Sequence, residues 1–387
     1  MTGTCPVLPR QEALPFRDDR SAAWRMMQDA GDVAVSEEGV YFLIGAEVVE
    51  AAAKNSDVFS SAGAFDVLGS PFPLVPIAID PPDHSRYRRM LNKFFSPRSV
   101  AEHDARLRAQ VNVLIDGILA DGPGCEFVGA MAVPFPSQVF LTLFGLPMQD
   151  RERLIAWKDA IVRLTDAQAA HINSETARTT GELIAYLMDH IANRHADMGS
   201  DLLSQLLSDT DEGGLNQTEI LGLCVLFILA GLDTVTAALG FAFETLSRDP
   251  ALRRRLRVDP SALTVFIEEN LRVNGPVPSV PRMTTVDVEV GGITIPAGST
   301  CWLMFGAASR DTRRYESADE MGDERVSHFA FGRGPHRCLG AHLASLELRI
   351  VIEEWLRRIP EFSLASEPEV LWPSATLSLK WLNLQLD

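Results

Sequence analysis

The 387-residue sequence has no excess of positive charge, no paired cysteines and no uninterrupted apolar run of membrane-spanning length. Each absence excludes something. Against 52 acidic residues stand 35 basic ones, a formal charge of −17, which argues against nucleic acid and anionic membrane surfaces as partners. Five cysteines (Cys5, Cys125, Cys224, Cys301, Cys338) show no pairing pattern, as expected for a cytoplasmic protein in a reducing compartment. The greasiest run, Leu221 to Leu232, is about half a bilayer span. Residues 1–10 lack the basic-then-apolar order of a signal peptide or anchor, so neither is expected. There is no internal repeat, low-complexity tract, Ser/Gly-rich linker, or flavin or nucleotide motif.

What is present centres on Phe331-Gly332-Arg333-Gly334-Pro335-His336-Arg337-Cys338-Leu339-Gly340. Leu343, Leu346, Ile350 and Trp355 then recur at roughly helical spacing, which puts Cys338 at or just before a helix N-terminus. Unpaired amides, the helix dipole, His336 and Arg337 favour a thiolate there, and a thiolate is a good ligand for iron. Gly332 and Gly334 are expected where the backbone passes close to something flat and bulky. On these residues alone two plainer readings stay open. Cys338 could be a buried core cysteine, or could join His336 and His342 in a zinc site, although no second ligand pair is visible.

Three further stretches carry chemistry. Asp80-Pro81-Pro82 reads as a helix start, and His84 and Arg88, four apart, share a face of that helix. From His84 to Arg98 five basic residues and no acidic one occur, so Arg86, Arg89, Lys93 and Arg98 are expected on the surface as a patch that attracts a negative partner. A long helix is expected from Asn216 to about Ser247, with an Asn216/Glu219 capping box and an exit at Asp249-Pro250. Its apolar middle contains Ala230-Gly231-Leu232-Asp233-Thr234, where Asp233 needs a partner, an arginine being the plain expectation, and Thr234 can bond the Ala230 carbonyl. Glu269 and Arg272 lie three apart on one helix face.

The remainder is less informative. Val40–Ile44 reads as a strand, 46–55 as a helix, and Val286–Val290 and Thr300–Met304 as strands of a small sheet. Residues 100–215 read as amphipathic helices broken at Gly122-Pro123-Gly124, Pro134-Phe135-Pro136 and Asp211-Glu212-Gly213-Gly214. His171, His190 and His195 have no partners at ligand spacing. The segment 60–79 is irregular yet apolar, without tyrosine, lysine or arginine.

The cysteine stretch resembles the cysteine-ligand loop of the cytochrome P450 family at Phe331, Gly332, Gly334, His336, Cys338 and Gly340. Asp80-Pro81-Pro82-Asp83-His84…Arg88, Ala230-Gly231-Leu232-Asp233-Thr234 and Glu269…Arg272 resemble that family's other elements, in its order. The resemblance implies a mainly α fold with small β sheets, one haem-enclosing domain over 1–387, and a haem-thiolate monooxygenase. It implies haem b held at Cys338 through iron, with His84, Arg88, Arg282 and His336 on the propionates and Ala230 and Gly231 leaving room in an oxygen-binding groove. Asp233 and Thr234 are implied to manage protons. Glu269 and Arg272, with Arg325 as third member, are implied to brace the cysteine loop. The segment 60–79 is implied to roof a substrate pocket lined by Phe72, Leu74, Val75, Leu229, Ala230, Pro278, Ser279 and Val280, for a small, neutral, mostly apolar substrate, and residues 165–180 correspond to a lid.

By the same resemblance the protein is a monomer, and electrons come from NAD(P)H through a reductase and an acidic ferredoxin. Arg310-Asp311-Thr312 departs from the usual Arg-Asp-Pro, Met321 stands where an aromatic is common, and Arg333 replaces a frequent histidine. The Gly231–Val235 run and the tail from Glu354 lean toward camphor and terpene hydroxylases. A haem-thiolate sensor or carrier, and a peroxide-driven peroxygenase, remain as alternatives; neither needs Asp233 and Thr234.

Overall fold

The computed structural model describes residues 5–66, 70, 72–166, 174–209, 213–374 and 376–387, with side chains left aside at 162–166, 174–177 and 195. Residues 67–69 and 71 of the roofing segment, His171, the middle of the expected lid and the break at 211–212 lie outside the described residues, as does the His195 side chain.

Helices dominate. The first group is α1 (Arg20–Asp29), α2 (Ala46–Lys54), α3 (Asp83–Asn92), α4 (Pro97–Ala101) and α5 (Asp104–Asp121). Then follow α6 (Pro134–Phe144), α7 (Arg151–Asp166), α8 (Ser174–Ala196), α9 (Leu202–Ser208) and α10 (Gln217–Gly231). The last group is α11 (Thr234–Arg248), α12 (Pro250–Val258), α13 (Pro260–Val273), α14 (Phe305–Ala308) and α15 (Ala341–Arg358). Local chemistry sets several starts. Asp249-Pro250 and Asp259-Pro260 each place a carboxylate at the cap, accepting from the N–H of Leu252 at 2.9 Å and of Ser261 at 2.8 Å, with proline in the first turn, where its missing N–H costs nothing. The capping box on α10 forms as expected: Asn216 Oδ1 accepts from Glu219 N at 3.0 Å, and Glu219 Oε2 from Asn216 N at 2.7 Å.

The strands are β1 (Val7–Leu8), β2 (Val33–Ser36), β3 (Tyr41–Leu43), β4 (Phe59–Ser60), β5 (Gly124–Glu126), β6 (Val280–Thr284), β7 (Val288–Val290), β8 (Ile293–Ile295), β9 (Thr300–Leu303), β10 (Phe362–Leu364), β11 (Glu369–Leu371), β12 (Ser378–Trp381) and β13 (Asn383–Leu386). They form a mixed sheet in the order β1-β2-β3-β9-β6-β4 and three smaller sheets, β10-β13-β5, β11-β12 and β7-β8. β6 was not foreseen. Its Pro281 pairs with Trp302 of β9, next to the edge strand β4.

Two apolar clusters carry most of the helices, and a third packs α2 against the mixed sheet. One surrounds α11 and α15, where the rings of Phe127 and Phe243 stack at 4.0 Å and Trp355 meets Phe243 edge-on at 5.1 Å. The other surrounds α10, with residues of α6 to α9. The expected single helix therefore passes between clusters, and it breaks at Leu232 and Asp233, where one cluster gives way to the other. Residues 217–248 together are long and apolar enough to cross a membrane by composition, yet most of the apolar window is buried within the protein. Pro134-Phe135-Pro136 is no break: it opens α6 after a π-helical turn at Val128–Ala132, with Pro134 in the first turn.

Candidate functional site

The cysteine loop is fixed by its own backbone. Cys338 N donates to the Phe331 carbonyl at 2.7 Å and Gly332 N to the Phe329 carbonyl at 2.7 Å, while Phe331 packs against the core. Gly332 and Gly334 have φ of +67° and +68°, a left-handed geometry that favours glycine. The reason for Gly334 differs from the expectation. A Cβ there would lie 2.1 Å from the Ala53 carbonyl oxygen at the end of α2, so the close approach is to protein backbone. At Gly340, by contrast, a Cβ would meet no protein atom.

Cys338 is the exposed member of the five cysteines. Its sulfur has an open face, yet the protein atoms packed around it still push the thiol up, while the Gly340 N–H, Arg88 and Arg337 pull it down. Arg88 thus takes the part expected of His336. No group of three or more His, Cys, Asp or Glu among the described residues is placed to hold a metal, which removes the zinc reading of His336, Cys338 and His342.

His84, Arg88, Arg282 and His336 come together from α3, β6 and the cysteine loop. The His84 and His336 rings lie 4.2 Å apart, and Arg88 donates to the Arg337 carbonyl at 2.8 Å. Burial lowers His84 to about 4, helped by the Arg88 charge. Burial likewise takes His336 to about 2, with Arg282, His84 and Arg88 adding to it, and Arg282 to about 10. His84 Nε2 is buried with no hydrogen-bond partner, and Arg282 donates to the Pro281 carbonyl at 2.6 Å. Two imidazoles kept neutral chiefly by burial, one with an orphaned nitrogen, beside two guanidiniums whose charge burial disfavours, fit a group bearing two carboxylates.

The break in the long helix presents the other half of the site. Ala230 is exposed although its helix is buried for most of its length, and Thr234 Oγ1 bonds the Ala230 carbonyl at 3.2 Å. A Cβ on Gly231 would rest on Phe140 of α6 at 3.5 Å, so the room on this face is left by Ala230, and Gly231 faces protein. The partner of Asp233 is a lysine: Lys158 of α7, 5% exposed, bonds Asp233 Oδ1 and also Asp159 at 2.6 Å. Burial raises the Asp233 carboxyl above its ordinary value against the pull of Lys158.

The brace is fully enclosed. Glu269 and Arg272 are each 2% exposed and meet through Arg272 Nε at 2.9 Å and Nη2 at 2.9 Å. Arg272 also donates to the carbonyls of Ser309 at 3.2 Å, Ala318 at 2.7 Å and Glu320, and Glu269 accepts from Gly322 N at 2.7 Å. These backbone groups satisfy the pair without a third side chain. Arg325, expected there, is 67% exposed and lies 3.5 Å from Glu268, so that expectation is corrected.

The pocket expectation divides. Phe72, Leu229 and Val280 are half-buried and Ala230 exposed, as pocket-lining side chains should be. Leu74 and Val75 are instead buried in the α10 cluster. A Cβ on Gly222 would lie 2.2 Å from the Pro73 carbonyl oxygen, so this stretch presses directly on α10 and turns both side chains into the cluster. Pro278 is buried with its carbonyl accepting from Gly306 N at 3.0 Å, and the Ser279 hydroxyl donates to Gln11 Oε1 at 2.8 Å. The basic patch is also reduced. Arg86 is half-buried and bonds Glu219 of the α10 cap at 2.8 Å, and Lys93 pairs with Asp209 at 2.5 Å. Outside the cysteine loop, a groove of about 290 Å³ is lined by Glu268, Arg325, His328, Phe331, Arg333 and Arg337.

A glycine-shaped cysteine loop, a donor cluster suited to two carboxylates and an opened helix define a haem-thiolate protein. Comparison with known proteins gives the family. Residues 261–375 match the cytochrome P450 model. The chain is 33% identical to a probable cytochrome P450 127A1 of Sinorhizobium fredii (strain NBRC 101917 / NGR234), over 82% of this chain and 74% of that protein. It is 34% identical to the vitamin D(3) 25-hydroxylase of Pseudonocardia autotrophica, over 81% of this chain and 77% of that protein. The crystal structure of CYP109E1 from Bacillus megaterium in complex with testosterone superposes with a TM-score of 0.87 at 27% identity, covering 95% of this chain and 98% of that one. The chain belongs to the cytochrome P450 family, among its bacterial members, and is a haem-thiolate monooxygenase. The lean toward terpene hydroxylases finds no support in these relatives.

Proposed function

We propose that this single haem domain over 1–387 inserts one oxygen atom from O2 into a neutral, mostly apolar organic substrate, working as a cytoplasmic monomer. The observation that carries the reading is the meeting of His84, Arg88, Arg282 and His336 next to Cys338, with His84 Nε2 buried and unpartnered. Haem b, when bound, supplies the oxygen activation. Cys338 provides the thiolate ligand and Arg88 and Arg337 steady its charge. His84, Arg88, Arg282 and His336 hold the propionates. Thr234 offers a hydroxyl at the helix opening, and Asp233, whose carboxyl binds a proton more readily than usual, passes protons from the solvent side to it. Phe72, Leu229, Ala230 and Val280 line the substrate space, and the vitamin D(3) and testosterone named for the relatives support a bulky apolar substrate in place of a small one.

Electrons reach the site from NAD(P)H through a reductase and an acidic ferredoxin. Docking is assigned to the basic face of α3 and Arg98 together with Arg325 and Arg337 around the groove outside the cysteine loop. The test is reconstitution with a ferredoxin pair, 18O2 and a panel of steroids, macrolides and terpenoids. One labelled oxygen per product with NADPH consumption matched to it is the expected result. Turnover supported by peroxide alone at the same rate would favour the peroxygenase reading, and haem binding without turnover of any substrate the sensor reading.

A further inference from the structure

The carboxylate of Asp80 does not do what its position suggests. An aspartate before two prolines and a helix is expected to cap that helix. Here α3 begins at Asp83 without a side-chain cap, and Asp80 reaches back across the fold. Its Oδ1 accepts from the Ser61 N–H at 2.8 Å and its Oδ2 from the Ser60 hydroxyl. The Ser60 oxygen accepts in turn from Ala62 N at 3.0 Å. Ser61, fully buried, is held from both sides, and its hydroxyl lies 3.1 Å from His336 Nε2. The His336 ring rests on His84, and the Asp80 charge acts on both His84 and Arg282.

We propose that Ser61, pinned by Asp80, is a positioning residue that sets the ring orientation and tautomer of His336 and thereby its bond to a haem carboxylate. The proposal rests on the haem-thiolate reading above. A neutral imidazole has one N–H and one acceptor nitrogen. The Ser61 hydroxyl can donate to or accept from Nε2; donating, it leaves the ring proton on Nδ1, available to a carboxylate oxygen. Without that hydroxyl the ring is free to present a lone pair to the carboxylate, which repels it. The Ser60–Asp80–Ser61 set therefore does for His336 what an outer partner does for a ligating histidine: it selects one of two states.

The experiment uses the haem-loaded protein and the variants Ser61→Ala, Ser61→Thr, His336→Ala and Asp80→Ala. Haem transfer to excess apomyoglobin and the haem reduction potential are measured for each. Ser61→Ala is expected to release haem about tenfold faster, the loss of one charge-assisted hydrogen bond. Its potential should fall, because a carboxylate left less compensated favours ferric iron. Asp80→Ala should move both readouts the same way, Ser61→Thr should restore them, and Ser61→Ala on top of His336→Ala should add nothing. Ser61→Ala matching the unmodified protein while His336→Ala does not, or full additivity of the two, would overturn the proposal. The carbon monoxide spectrum of the unmodified protein separates the failures. A thiolate-type band with a silent Ser61 rejects this inference alone, and no such band rejects the haem-thiolate reading beneath it.

Discussion

Glu269 and Arg272 sit three residues apart on α13, each 2% exposed, whereas Asp233 and Lys158 meet from α7 and the break between α10 and α11, with the Asp233 side chain 24% exposed. Both are acid–base pairs out of bulk water, but their surroundings differ. Four backbone carbonyls and one N–H complete the first pair, so every N–H of the Arg272 guanidinium is engaged. The second is incomplete: Lys158 divides itself between Asp233 and Asp159, and burial still raises the Asp233 carboxyl. A closed pair holds a shape. An open one, with a carboxylate that burial makes easier to protonate and that is partly wet, suits the proton transfer proposed for it.

The comparison breaks most visibly at the brace. Arg272→Ala leaves Glu269 charged and buried without compensation, at a cost of about 3–5 kcal/mol. Denaturant unfolding and haem content should both collapse, and a haem-replete variant of ordinary stability would show that the pair is not structural. Asp233→Asn should keep the fold and haem yet lower coupled product formation by about a hundredfold, the usual worth of a positioned proton donor. Oxygen uptake against product measures it. Lys158→Met removes the cation that holds the Asp233 carboxyl down, so that carboxyl rises further. The alkaline limb of the coupling–pH profile, where the donor loses its proton, should then move to higher pH, and an unmoved limb would mean that Lys158 does not bear on Asp233. The smallest effect is expected at Arg325, whose exposed pair with Glu268 is worth under about 0.5 kcal/mol, so Arg325→Ala should leave the unfolding midpoint unchanged.

The same contrast explains what the sequence makes legible. The cysteine loop, the capping box and the Glu269/Arg272 spacing are set by residues within ten positions of one another, through backbone geometry and helix periodicity. They can be read directly. Lys158 lies 75 residues from Asp233, and nothing local marks it. The available signal was its rarity: the chain has four lysines, and this one stands in Leu154-Ile155-Ala156-Trp157-Lys158 with apolar neighbours. Arg325 is implied there by the family resemblance alone, and the carbonyls of Ser309, Ser317, Ala318 and Glu320 fill the position instead. Leu74 and Val75 were read as pocket because apolar loops line pockets, and only the contact of Pro73 with Gly222 shows that they face a core. The long helix was placed correctly at its cap, yet its break at Leu232 and Asp233 depends on two clusters meeting there, which no propensity records.

The central claim is that Cys338 is a thiolate ligand to haem iron. The most direct measurement is the absorption spectrum of the dithionite-reduced, haem-loaded protein under carbon monoxide. The account predicts a strongly red-shifted Soret band that disappears in Cys338→His. A band typical of histidine- or thiol-ligated haem in the unmodified protein would contradict it.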